Sequence, residues 1–128
     1  MSKRAVAFVS DLLFASNIEA TLGRAGYEVV SVEDLPALEQ ALAAGPAGLV
    51  ILDLHAGAAS EDVIERAGGV PVLAFGRHTA AALLRAARAA GCARVVPRST
   101  FVAEMSALVT ELRQIGGTAD QDEEESLT

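Results

Sequence analysis

The sequence predicts an α/β protein of five βα units, a single-domain doubly wound sandwich around a parallel five-stranded sheet in the order 2-1-3-4-5. Three observations carry this expectation. Short apolar runs alternate five times with segments of helical periodicity. The connections between them are short, as crossovers between neighbouring parallel strands require. The first, third and fourth apolar runs are uniformly apolar and suit central strands buried on both faces, whereas the second and fifth carry charge and suit edges.

The elements follow in order. Ala5-Val6-Ala7-Phe8-Val9 reads as the first strand, and Phe14, Ile18, Leu22 and Ala25 recur at helical spacing after it, up to a stop at Gly26. Tyr27 to Val32 reads as a β-branched second strand. Asp34 and Pro36 open a second helix, with Leu38 and Leu42 on one face and Gly45 at its end. Gly48 to Leu52 is the third strand. Ser60 is expected to cap a short third helix, with Glu61 and Asp62 in its first turn. Val70 to Phe75 is the fourth strand. Thr79 is expected to cap a fourth helix with Leu83, Leu84, Ala87 and Ala90 inward and Arg85 and Arg88 outward. Arg94-Val95-Val96 is the fifth strand. Ser99 or Thr100 is expected to cap a last helix marked by Phe101, Met105, Leu108, Leu112 and Ile115.

Length and composition bound the rest. The 128 residues suit one domain, 1–115, and 52% apolar residues, 26 of them alanine, suffice for a core. A single cysteine, Cys92, excludes an intrachain disulfide and fits a reducing, cytoplasmic setting. No signal peptide is expected, and no apolar run approaches the ~20 residues of a membrane span. Of the net charge of −7, the segment 116–128 contributes five acids and no base, and is expected to form an acidic, disordered tail. From Arg66 to Ala103 there are six arginines and no acid. The alanine and arginine bias fits codon usage of a GC-rich genome. An acidic chain argues against direct nucleic-acid binding, while the arginine stretch suits a local anionic partner.

In an open α/β sheet, ligands bind beyond the carboxyl ends of the strands, where strand order reverses. That point lies between the first and third strands, which end in Ser10-Asp11 and in Asp53. Two carboxylates brought into one cleft repel each other, and a divalent cation is the usual remedy; Mg²⁺ suits one or two carboxylates plus water. Gly76 and Arg98 end strands four and five at the same rim, where Arg98 is a candidate to pair a carboxylate or contact a phosphoryl oxygen. No nucleophile–base–acid set is visible, so no enzyme is expected.

At these residues the chain resembles the receiver domain of two-component response regulators, of the chemotaxis-type single-domain kind. The resemblance covers about residues 4–115. It lies in Val6 to Asp11, Gly26 to Val29, Leu49 to Leu54, Val70 to Phe75, and Ala90-Gly91-Cys92-Ala93 leading into Val95-Val96-Pro97-Arg98. It implies a flavodoxin-like fold and a stand-alone bacterial phosphorelay protein that acts through protein–protein contact. It places Asp53 at the phosphoacceptor position of a phosphoprotein. Asp11, Asp53 and the backbone carbonyl of His55 would be ligands of a weakly held Mg²⁺. A histidine kinase or other signalling protein is the implied partner. The fourth helix, fifth strand and last helix, with Arg85, Arg88 and Arg94, are the implied partner or homodimer surface.

The departures from the family are specific. Ser10 stands where a second acid is expected, Gly76 where a hydroxyl side chain ends the fourth strand, and Val95 where an aromatic sits. Arg98 replaces a lysine and Ser99 the proline after it, and the third helix is short. A planar guanidinium does not substitute for a compact ammonium. These losses raise a second reading, a pseudo-receiver that signals without phosphate. A flavodoxin-like small-ligand domain ranks last, because Leu12-Leu13-Phe14 follow the first strand where a Gly-rich or hydroxyl-rich loop is needed.

Overall fold

The chain builds β1 (Arg4–Phe8), α1 (Leu12–Arg24), β2 (Glu28–Val32), α2 (Leu35–Ala44), β3 (Leu49–Asp53), α3 (Ser60–Ala67), β4 (Val72–Gly76), α4 (Ala81–Ala90), β5 (Arg94–Pro97) and α5 (Arg98–Leu127). This computed structural model describes residues 3–127 along the backbone, and side chains from 3 to 113. The disorder expected of the tail 116–128 therefore lies outside the residues whose side chains are described. The five strands form one parallel sheet in the order β2-β1-β3-β4-β5, as the sequence predicts.

Strand periodicity explains the two cores. Successive side chains leave a strand on opposite faces. Ala5, Ala7 and Val9 of the first strand region, with Ile51, Leu73, Phe75 and Val96, pack under α1 and α5 through Ile18, Leu22, Phe101, Met105 and Leu112. The intervening Val6 and Phe8, with Val50, Leu52, Ala74 and Val95, pack under α2, α3 and α4 through Leu38, Val63, Leu84 and Ala87. Every residue of β3 and β4 is buried. β2 and β5 each include exposed and half-buried positions, as edges do.

The caps depart from expectation in an instructive way. Asp11 and Asp34 cap α1 and α2 with their carboxylates, on Leu13 N–H and Phe14 N–H and on Ala37 N–H respectively. Ser60, Thr79 and Ser99/Thr100 do not act as caps. α3 and α4 start after Ala59 and Ala80 without a side-chain cap bond, and α5 starts at Arg98 directly from β5. Leu83 also departs: it is 37% exposed, and Leu84 and Ala87 alone bury α4. The C-terminal stops at Gly68 and Gly91 have φ of 58° and 106°, the left-handed region where glycine is unstrained. α5 is kinked at Glu104 (φ −124°, ψ 22°).

α2 ends differently. Its cap residue Gly45 is extended, and the open carbonyls of Ala41 and Gly45 accept from Arg4 Nη2 and Nη1 at 2.8 and 3.0 Å. Arg4 Nε also pairs with Glu28 at 3.2 Å. Cys92 is half-buried against the α2–α4 core, and desolvation raises its thiol pKa to about 11.

Three rings join α1, β4 and α5. Phe75 and Phe101 stack with centroids 4.4 Å apart, and Phe14 meets Phe75 edge-on at 5.3 Å. Phe101 is fully buried. Phe101→Ala is expected to destabilise the fold by about 3–5 kcal/mol through lost burial and the cavity left behind. Urea unfolding should show a lower midpoint with an unchanged slope.

Candidate functional site

Asp53 is the last residue of β3 and only 6% exposed, and among the described residues no other polar or charged residue is buried. Its Oδ1 accepts the backbone N–H of His55 at 2.9 Å, and the loop is closed further by Leu54 N–H on Phe75 O and Ala56 N–H on Asp53 O. A buried carboxylate with so few partners carries a desolvation cost that packing alone does not call for. β1 lies beside β3, with Phe8 paired to Leu52, so Asp11 emerges at the same carboxyl edge. Asp11 is exposed, and its Oδ1 serves both cap bonds of α1. Ser10 is exposed and makes no hydrogen bond among the described residues.

The oxygens Oδ2 of Asp11 and Asp53 are not used in these bonds, and the His55 carbonyl is at the same loop. Among the described residues no group of three His, Cys, Asp or Glu side chains could hold a metal ion. A cation here would rest on two carboxylates, one carbonyl and water, a donor set that fits Mg²⁺ and holds it weakly.

At Gly76 the structure shows more than a missing hydroxyl. A Cβ built on Gly76 would lie 3.3 Å from His55 Nε2, 3.3 Å from Leu54 Cδ1 and 3.4 Å from Leu84 Cδ2. The imidazole of His55 thus occupies the space that a side chain at position 76 would take. Its Nε2 accepts the backbone N–H of Arg77 at 3.0 Å, which makes Nδ1 the protonated nitrogen of the neutral ring. One side chain ties the β3–α3 loop to the β4–α4 loop, and it packs closely against the glycine opposite. Sequence reading placed His55 for its carbonyl only; a histidine two residues past a strand-end acid and a glycine ending the next strand were the available signals.

The remaining candidates are dispersed. Among the described residues Arg98 bonds no carboxylate: its guanidinium stacks 4.1 Å over the Phe14 ring. Val95 is buried under α4 with Leu84 and Ala87. Arg85 and Arg88 are exposed on α4 without an ion pair among the described residues, whereas Arg94 pairs with Glu111 of α5 at 3.2 Å. No helix among the described residues is long and apolar enough to cross a membrane.

Solved structures resemble this chain closely in shape and distantly in sequence. A signal receiver domain of a response regulator from Bermanella marisrubri matches with a TM-score of 0.78 and 19% identity, over 88% of this chain and 98% of that one. The chain has the receiver fold. A response regulator from Burkholderia pseudomallei, solved with a phosphorylated aspartic acid and a calcium ion, matches with a TM-score of 0.73 and 16% identity, over 95% and 73% of the two chains. NtrX from Brucella abortus matches with a TM-score of 0.84 and 12% identity over 97% of this chain, which spans 29% of the NtrX length. No protein-family model and no curated protein matches the sequence.

Gly76→Ser is expected to push the His55 ring aside and break its bond to Arg77 N–H, at a cost of about 1 kcal/mol. The Arg77 amide should then exchange faster with solvent, as it should in His55→Ala. An unchanged Arg77 amide in both variants would show that the ring does not hold this loop.

Proposed function

We propose that the chain acts as a receiver-type module of two-component signalling, working through protein–protein contact, with Asp53 as the phosphoacceptor. The observation that carries this reading is the buried Asp53 at the carboxyl end of the central strand β3. A histidine kinase or other signalling protein is the partner, and Asp11, Asp53 and the His55 carbonyl would hold Mg²⁺. That ion would screen the two carboxylates and the charge of an incoming phosphoryl group. This chain's own part is to present Asp53 at the edge of a dry sheet, with one carboxylate oxygen held by the His55 N–H and the other outside that bond.

One observation favours the second reading, a pseudo-receiver. His55 fills the space beside Gly76, Val95 is a small buried aliphatic, and Arg98 is engaged with Phe14. A ligand shifts a two-state protein only by its differential affinity for the two states. With no hydroxyl at position 76 and no aromatic at position 95, a phosphoryl group at Asp53 has few contacts with which to favour one state.

Incubation with acetyl phosphate and Mg²⁺ is expected to add one phosphoryl group by intact-mass spectrometry, and none in Asp53→Asn. Absence of the adduct in the unmodified chain would remove phosphoacceptance from the proposal. Amide NMR with beryllofluoride and Mg²⁺ separates the two readings: changes confined to the Asp53 rim support the pseudo-receiver, and changes reaching Val95 and Arg88 support a phosphate-driven switch.

The partner or homodimer surface is proposed on α4, β5 and α5. Arg85 and Arg88 are its cations without an ion pair among the described residues, and Arg94 is the paired one at its edge. Charge reversal at Arg85 and Arg88 together is expected to weaken capture of the cognate kinase at least tenfold and to leave the thermal midpoint within about 2 °C, since both side chains are exposed. Loss of folding instead would make these arginines structural.

A further inference from the structure

Beside the Asp53 rim, between the β4–α4 loop and the first turn of α5, runs an open groove of about 560 Å³. Arg77, His78 and Thr79 line one side, and Arg98, Ser99 and Val102 the other. Its volume lies in the range of ~300–1,000 Å³ that ligand sites occupy.

Two hydroxyls and the Arg77 guanidinium along it have no partner among the described residues. Thr79 and Ser99 have the residue type and position of helix caps, yet neither caps a helix, and neither hydroxyl has a hydrogen bond among the described residues. The guanidiniums of Arg77 and Arg98 face no carboxylate within ion-pair distance among the described residues. The local sequence offers none, since residues 66–103 hold six arginines and no acid. Arg98 is nonetheless held in place, and the backbone that carries Arg77 is anchored. Arg98 lies over Phe14, which is fixed against Phe75, and the Arg77 backbone is bonded to His55. Val102, 54% exposed, adds a bulky apolar wall.

We infer that this groove binds a short acidic peptide segment of a partner protein, one that sets carboxylates on Arg77 and Arg98 and an aliphatic side chain on Val102. Charge complementarity selects the sign. Charge-assisted bonds from two guanidiniums, supported by two hydroxyls, suit carboxylates. The open groove and the Val102 wall select a peptide over a small free anion, which would leave most of the groove and its apolar surface wet. The inference stands on the groove and does not depend on phosphoacceptance at Asp53.

The test is an amide NMR titration of the full chain, without Mg²⁺ or phosphodonor, so that it fails or succeeds separately from the phosphoryl experiment. The probe is a capped tetrapeptide, Asp-Glu-Leu-Asp. Saturable shifts are expected at Arg77–Thr79 and Ser99–Ala103. Affinity should fall at least tenfold for the amide isostere Asn-Gln-Leu-Asn, for Asp-Glu-Gly-Asp, and for the Arg77→Gln and Arg98→Gln variants. Arg98→Gln removes a contact to Phe14, so Arg77→Gln, whose side chain supports nothing in the fold, is the decisive variant. Equal binding of the isostere, shifts as large at Arg85 and Arg88 as in the groove, acetate competing as well as the peptide, or no saturable shift would each overturn the inference.

Discussion

The sheet of this protein is covered on both faces, and that constraint governs the rest. β3 and β4 have no exposed residue, so neither strand can carry a solvated polar group along its length. Polar chemistry is confined to the edge where the strands stop. Asp53 sits at that boundary: it is still the last residue of a buried strand, yet its loop opens to solvent at His55. The same confinement brings Asp11, Gly76 and Arg98 to one rim, since each ends a neighbouring parallel strand or follows it within three residues.

Within that rim the side chains have been redistributed. A glycine at the end of β4 looks in isolation like the loss of a functional group. In three dimensions it is half of a packing pair whose other half is the His55 imidazole. Arg98 likewise keeps a cation at the end of β5 but directs it to an aromatic ring. The surface beside Asp53 is thus more tightly tied, loop to loop, than its list of small and missing side chains implies.

What was legible in the sequence follows from the range of each interaction. Apolar runs, helical spacing and the charge on the second and fifth strands report burial on one or two faces, and burial decides strand order; those features are readable from local pattern. The cap at Asp34 was also legible, because a carboxylate bonds an N–H group three residues ahead. Ser60, Thr79 and Ser99 were misread because a hydroxyl near a helix start is compatible with a cap and does not enforce one. The His55–Arg77 bond joins residues 22 apart and depends on a ring orientation set by the absence of a side chain at Gly76. No local pattern encodes that, nor the stacking of Arg98 on Phe14.

The end of α2 has its own consequence. That helix has no left-handed glycine to close its last turn; Arg4, from the first residue of β1, takes both terminal carbonyls and also holds Glu28 of β2. Fraying of α2 from its carboxyl end therefore exposes the guanidinium and loosens the starting residues of two strands. One side chain thus couples the end of α2 to the first residues of β1 and β2, so that this helix end does not open without removing bonds at both strands.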